Sequence, residues 1–205
     1  MILSDATNSL RRLLQSLLPE GESVFSGSLA HWHDAAIAQP HGIGLYLHRI
    51  EETPTGIGGD WYDMRDDAGR VVARGGPARR FKLGYALWAW SEGDPDEETR
   101  LLGEALDLLA GHRQLPAGCL TGSLTEGAPA RLAVAPEGLP TADGMWGAAG
   151  LAQRTSFQVI LTADLLPEPV APAPLVRERS LHTATSASRS GTARAGGRSY
   201  PVKEM

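Results

Sequence analysis

Three histidines near the start of the chain have side chains that could bind a metal. His31, His33 and His41 lie close to Asp34, and imidazoles together with a carboxylate are ligands that zinc accepts. The spacing does not match a helical pair of histidines, which would place both ligands on one helical face. We therefore interpret these residues as a polar surface, and no metal is expected.

A second segment concentrates carboxylates. Its aspartates are Asp60, Asp63, Asp66 and Asp67. The glycine and glutamate positions of an EF-hand loop are missing, so a solvated turn is predicted rather than a calcium site. The preceding glycines at 56–59 are not followed by Lys-Ser or Lys-Thr, as a phosphate-binding loop requires.

Cys119 is the single cysteine of the chain, which excludes an intrachain disulfide and any site with several thiolates. Its neighbours Leu115 and Leu120 favour a small buried hydrophobic side chain over a reactive thiol. The chain also lacks the Gly-x-Ser-x-Gly elbow of a hydrolase. We predict no catalytic residue, no cofactor and no enzymatic activity; a metalloenzyme or hydrolase using His31, His33 or Cys119 is the alternative that bound metal would support.

Composition favours one folded domain with an acidic body. The chain has 205 residues, of which 42% are hydrophobic and 21% charged, and its net charge is -5. Residues 166–205 contain six Lys or Arg against three Asp or Glu, so the remaining body is acidic. An acidic body argues against nucleic-acid binding, which requires clustered positive charge. No apolar run reaches the roughly 18 residues of a membrane span, and no secretory signal is visible at the N-terminus, so a cytoplasmic protein is expected.

Hydrophobic periodicity predicts two main helices and a sheet. The predicted helices are 4–18, 94–111 and a short one at 142–149; the predicted strands are 23–26, 44–50, 61–66, 71–73, 79–90, 131–135 and 156–163. Ser4 or Asp5 is expected to cap the first helix, and Asp94-Pro95 is expected to start the second. The strand at 79–90 becomes apolar on both faces, so it is predicted to be central or to meet a partner.

The composition changes at Pro167. Four prolines between positions 167 and 174 space an extended linker, and residues 180–205 are rich in small and polar side chains. We predict a domain at 1–166 and a Pro-rich, basic, flexible tail at 167–205. The predicted fold class is α+β, with a mixed or antiparallel sheet packed by two main helices and a disordered C-terminal tail.

Aromatic and arginine side chains provide candidate contact residues, because both types anchor protein interfaces. Trp88 and Trp90 lie near the end of the strongest strand, and two arginines open it. The alternative for the tryptophans is an ordinary place in the core. The predicted interface residues are Arg79, Arg80, Trp88, Trp90 and the tail arginines Arg177 and Arg179.

Four segments in this order resemble the cap, or tail-terminator, family of contractile injection systems, which are phage-tail-like particles of bacteria. The segments are residues 13–19 (LLQSLLP), 45–50 (LYLHRI), 81–87 (FKLGYAL) and 97–103 (EETRLLG). The resemblance spans residues 1–165 and implies a tail-terminator-like fold. Trp61-Tyr62-Asp63 stands where the family has a Trp-Arg-Asn-like turn.

The resemblance implies a structural protein that acts without an active site. It implies a homohexameric ring that stacks on the last ring of the inner tube protein, engages the sheath protein and anchors the sheath end. Such a protein would be assembled in the cytoplasm into a particle that can be released, with no nucleic acid and no membrane as partner. The alternative from another class is a stand-alone intracellular adaptor whose basic tail recruits a partner.

Overall fold

A five-stranded sheet forms the centre of the fold. The structure, a computed structural model, describes residues 1–19, 24–32, 39–53, 60–125, 128–136 and 143–171. The strands are β1 (Phe25–Ser26), β2 (His41–Thr53), β3 (Tyr62–Arg65), β4 (Val71–Gly75), β5 (Arg79–Ser91), β6 (Arg131–Val134) and β7 (Ser156–Leu165). The sheet has the order β1-β2-β5-β7-β6, while β3 and β4 form a separate hairpin. Because β1 is parallel to β2 and the other neighbours are antiparallel, the predicted α+β fold with a mixed sheet is confirmed.

Helices cover both faces of this sheet. The helices of the described residues are α1 (Ile2–Gln15), α2 (Pro95–Ala110) and α3 (Asp143–Ala148), with short 3-10 turns at Leu29–His31, Ala117–Cys119 and Gly122–Thr125. α1 and α2 pack on one face and form the main core with it. α3 contributes to a smaller aromatic core on the opposite face. No helix in the described part of the chain is long and apolar enough to cross a membrane.

β5 is the central strand, as its sequence predicts, and it divides its side chains between the two cores. Leu83, Tyr85 and Leu87 face α1 and α2, whereas Trp88 and Trp90 lie in the aromatic core. Every residue from 83 to 90 is buried, because a strand with neighbours on both edges and helices on both faces has no solvated side.

α1 begins earlier than its capping pattern predicts. The helix starts at Ile2 and has no side-chain cap, so the predicted cap by Ser4 or Asp5 is wrong. The Asp5 carboxylate instead accepts hydrogen bonds from Ser123, at 3.1 Å from the backbone nitrogen and 2.7 Å from Oγ. A tertiary partner 118 residues away therefore takes the side chain that the local pattern assigns to the helix end.

α2 follows its sequence signals closely. Asp94 caps it by accepting hydrogen bonds at 3.1 Å from the backbone nitrogens of Asp96 and Glu97. Pro95 occupies the first turn, where a missing N–H costs nothing, and Gly111 ends the helix. The buried side chains Leu101, Ala105 and Leu109 recur at helical spacing and pack on the sheet.

The two ends of the long central strands bring together different parts of the chain, and we name them the Arg79 end and the Ser91 end. At one end the register places Arg79 and Arg80 beside Thr53 of β2 and the last residues of β7. At the other end Ser91 pairs with His41. α2 starts at the Ser91 end and the chain after it returns to the Arg79 end, where Gln114 bridges to Arg131 at the start of β6. Residues far apart in sequence thus meet at each end.

Candidate assembly surfaces

The hairpin of β3 and β4, which we name the arm, stands apart from the central sheet. All four residues of β3 are exposed. The Asp66 side chain holds its turn by accepting hydrogen bonds from the backbone nitrogens of Ala68 and Arg70, at 3.0 and 2.8 Å. Gly69 has φ +76°, which glycine adopts without strain. The turn predicted in this acidic segment is confirmed.

The arm exposes several large apolar side chains. Trp61 is 60% exposed and Val72 52%. Tyr62 and Met64 are exposed as well, and the Tyr62 ring lies over Gly75, where an added Cβ would come within 2.1 Å of the ring. Neighbouring exposed apolar residues form a surface of the kind that marks protein contacts. None of these residues was among the predicted interface residues.

The chain after β7 joins the arm. Val170 pairs with Arg74 through two backbone hydrogen bonds of 2.8 Å, one in each direction. The Pro167 ring lies near Gly76, next to the tip of the Trp61 indole. Leu166 and Val170 are each 50% exposed and extend the apolar surface of the arm. This pairing uses the outer edge of β4 and leaves the outer edge of β3 without a strand partner in the described residues.

The predicted contact residues Trp88 and Trp90 are buried within the chain. They are 0% and 3% exposed, so neither indole faces a partner in this structure. Gly44 lies opposite Trp88 and Gly42 opposite Trp90 across the β2–β5 ladder, and each indole occupies the space above its glycine. A contact role for the two tryptophans stays a prediction. In this structure both are buried in the aromatic core.

Other aromatic residues close this core. The ring of Trp146 in α3 meets Trp88 edge to face, with centroids 5.2 Å apart. Trp32 lies 6.4 Å from Trp90 between ring centroids, and the Arg154 guanidinium stacks 4.6 Å above Trp32. Edge-to-face aromatic pairs and cation–π contacts stabilise a core beyond the area they bury. The aromatic core thus fixes α3 against the sheet.

Arg79 and Arg80 are both engaged in bidentate ion pairs at the Arg79 end of the sheet. Arg79 donates to Glu52 at 2.8 and 2.6 Å, and Arg80 donates to Asp164 at 2.7 and 2.9 Å. The hydrogen bonds from Arg80 hold the pKa of Asp164 below its ordinary value. Their predicted role in an interface is not tested by these contacts, and Arg177 and Arg179 lie outside the described residues.

The residues considered for metal or thiol chemistry are only partly among the described residues. His33, Asp34 and the glycines at 56–59 lie outside the described residues, and the described ranges contain no group of three metal ligands. Asp63 pairs with Arg74 at 2.9 Å. Cys119 is half-buried and packs against the main core, so it is less buried than the sequence predicts.

The fold is that of terminator proteins from contractile injection particles. The sheath/tube terminator of an extracellular contractile injection system, PVC, in its extended state shares 17% sequence identity with this chain at a TM-score of 0.58, covering 91% of this chain and 65% of that one. The anti-feeding prophage cap, an AFP tube terminating cap, shares 17% identity at a TM-score of 0.55, covering 90% of this chain and 60% of that one. The chain therefore spans less than two thirds of the length of either protein.

The chain belongs to the Pvc16 N-terminal domain family, whose model matches residues 5–178. The predicted relation to the cap and tail-terminator family of contractile injection systems is confirmed by this match. No curated protein matches the chain by sequence.

Proposed function

We propose that this chain is a structural subunit of the cap that closes the tube and sheath end of a contractile injection particle. Six copies form a ring that stacks on the last tube ring and anchors the sheath. The match of residues 5–178 to the Pvc16 N-terminal domain family carries the proposal. The two structures of similar fold, a sheath/tube terminator and a tube terminating cap, support it. The proposed role needs surfaces and no catalytic site.

The arm is the surface we assign to the tube or sheath. It is a hairpin outside the central sheet, exposes Trp61 and Val72 at 60% and 52%, and carries a β3 edge without a strand partner in the described residues. Backbone groups at such an edge can accept a strand from another protein, while apolar side chains beside it supply binding energy. Trp61 is the residue we expect to contribute most, because exposed tryptophans are enriched among energetically dominant contacts.

We also propose that the chain is divided at residue 166 into two parts with different roles. Residues 1–166 would form the ring domain, and the basic segment 167–205 would engage the sheath after passing along the arm at Val170. Arg177 and Arg179 belong to this segment and are proposed as contacts with acidic sheath residues. Removing residues 172–205 should leave a folded ring and weaken sheath retention.

The experiment is to produce the particle with and without this chain and to measure tube length and sheath state by electron microscopy. We expect the complete cluster to give particles of uniform length with an extended sheath. Particles produced without this chain should have tubes of variable length or sheaths that contract early. Expressing the chain again in the same cells should restore uniform particles. Uniform, extended particles in its absence would contradict the proposal and favour a stand-alone adaptor.

A further inference from the structure

We propose that neighbouring subunits of the ring are joined by an electrostatic contact between the two ends of the sheet. A basic groove at the Arg79 end of one subunit receives the acidic loop at the Ser91 end of the next. The occupant of the groove is therefore a second copy of this chain. This inference rests on the proposed function, because it assigns the surfaces of the proposed ring.

The basic groove is a cavity of about 320 Å³ that opens at the Arg79 end of the sheet. Lys82 of β5 and Arg131 of β6 both pair with Thr162, which lies between them on β7. Since neighbouring strands are roughly 4.8 Å apart, the Cα atoms of the two cations are separated by about 10 Å. Their side chains project from the same face of the sheet into the groove.

The charges of the groove are unequally satisfied. Arg80 donates both its hydrogen bonds to Asp164, so these two charges compensate each other. Lys82 and Arg131 are exposed and have no side-chain hydrogen bond or ion pair among the described residues; Arg131 acts on Asp164 only from a longer distance. Gln114 adds a polar amide to the wall. Within the part of the chain that the structure describes, the groove thus presents two positive charges without a direct partner, which suits carboxylates.

The acidic loop between β5 and α2 carries the complementary charge. Glu92, Asp94 and Asp96 are all exposed. Asp94 is used as the helix cap, whereas the Glu92 and Asp96 carboxylates have no hydrogen bond or ion pair within the described part of the chain. The loop therefore presents two negative charges on a short turn, which match the two cations of the groove in number and are opposite in sign.

The positions of the two surfaces determine the kind of assembly. Lys82 lies on β5 and Glu92 directly follows that strand, ten residues further on, so a rise of roughly 3.3 Å per residue separates them by about 33 Å. One molecule cannot join its own groove and loop. Contact between different surfaces of identical subunits is heterologous and propagates from head to tail, which closes into a ring when the rotation allows.

The test is a charge reversal at each surface of the full chain. We expect Lys82→Glu with Arg131→Glu to abolish the species of six times the 21.8 kDa chain mass measured by light scattering, with or without tube protein. Glu92→Lys with Asp96→Lys should abolish it too. All four changed side chains are exposed, so the melting temperature of each variant should stay close to that of the wild type.

Mixing the two reversed variants provides the sharpest outcome. In the mixture the unchanged loop of the groove variant fits the unchanged groove of the loop variant, and the two reversed surfaces also carry opposite charges. An alternating ring can therefore close with an even number of subunits. We expect an equimolar mixture, and a single chain carrying all four changes, to regain the six-subunit mass. Failure of both to regain it would overturn the proposed contact.

A matched control is the reversal Arg11→Glu with Arg12→Glu on the exposed side of α1. It changes the net charge by the same amount as the groove variant and should leave the ring intact. Loss of the ring in this control would show that total charge, and not the groove, decides assembly. Rings that persist when the groove is reversed, together with loss of inorganic phosphate binding, would assign the groove to a small anion instead.

Cross-linking tests the contact directly on assembled particles. Lys82→Cys and Glu92→Cys in one chain, with Cys119→Ser, should give a ladder that ends at six subunits when treated with a short bis-maleimide, because the linker spans the length of the two side chains that the cysteines replace. Either cysteine alone should give no ladder. If the wild-type chain forms no ring even on tube ends, both proposals fail; if rings form but the double-cysteine chain gives no ladder, the contact fails and the proposed function stands.

Discussion

Gly44 is the position where we expect a single methyl group to cost the most stability. A Cβ added there would lie 2.1 Å from Cε2 of the Trp88 indole, whereas carbon atoms in contact prefer roughly 3.5 to 4.0 Å. Trp88 is 0% exposed and is held from the other side by Trp146. The indole would therefore have to move by about an ångström or more inside a packed core.

The expected cost of Gly44→Ala follows from that displacement. Overpacking a core typically costs about 1 to 3 kcal/mol, and the size of the overlap places this variant near the upper part of that range. For a chain of this length, about 2 to 4 °C of melting temperature corresponds to each kcal/mol, so a decrease of about 5 to 10 °C is expected. Thermal unfolding followed by tryptophan fluorescence measures it.

Gly103→Ala is the matched control. Gly103 lies in the middle of α2 and is exposed, and a Cβ added there would meet no neighbouring atom within 4 Å. Alanine is favoured over glycine in a helix by about 1 kcal/mol, so the same substitution should raise the melting temperature by about 2 to 4 °C. Equal effects of the two substitutions, or a Gly44→Ala variant as stable as the wild type, would refute the packing argument.

Three further predictions concern separate contacts. Burial raises the pKa of Tyr85 to about 12, so the contribution of Tyr85 to stability should be full below about pH 10 and fall as the pH rises toward 12. Tyr85→Phe should remove this pH dependence. It also removes the 3.0 Å hydrogen bond to Thr7, which should lower the free energy of unfolding in urea by about 1 kcal/mol. Hydrogen bonds from Ser123 lower the pKa of Asp5, so the contribution of Asp5 to stability is present above about pH 4 and is lost on acidification. Asp5→Ala should lower the free energy of unfolding by about 1 to 2 kcal/mol at neutral pH and weaken its dependence on pH below about pH 4. An unchanged dependence on pH would contradict this assignment. Trp61→Ser should leave stability within about 0.5 kcal/mol but weaken binding to tube or sheath by at least about tenfold, measured by pull-down on particles, whereas Leu106→Ser on α2 should not.

The elements that follow local rules could be predicted from the sequence. α2 has an aspartate cap, a proline in its first turn and leucines at helical spacing, and each of these signals acts within a few residues. β5 alternates clearly enough that its two faces and its central place are visible in the sequence. The fold class follows from these elements, because a helix with apolar side chains along one side must bury that side against another layer, here the sheet.

The surfaces depend on register, which the sequence alone does not determine. Lys82 and Arg131 flank the same position of β7 only because both pair with Thr162. Trp88 is of a residue type that often anchors interfaces. Its burial depends on the glycine that faces it at position 44. Trp61 was not predicted as a contact because a loop tryptophan has no periodic neighbours, and its exposure becomes visible only once the arm is seen to stand off the sheet.

The pairing of Val170 with Arg74 has a mechanical consequence. A pull on the chain beyond residue 171 first loads the two hydrogen bonds of this bridge, and then β7. That strand lies between β5 and β6, with hydrogen bonds running across the strand direction on both sides, so tension along it must shear both ladders at once. The bridge would yield first and lengthen the free segment by a few residues, while the domain built on the five-stranded sheet stays folded. A terminator attached to a contracting sheath by this segment would absorb a sudden load in a replaceable contact and keep its core intact.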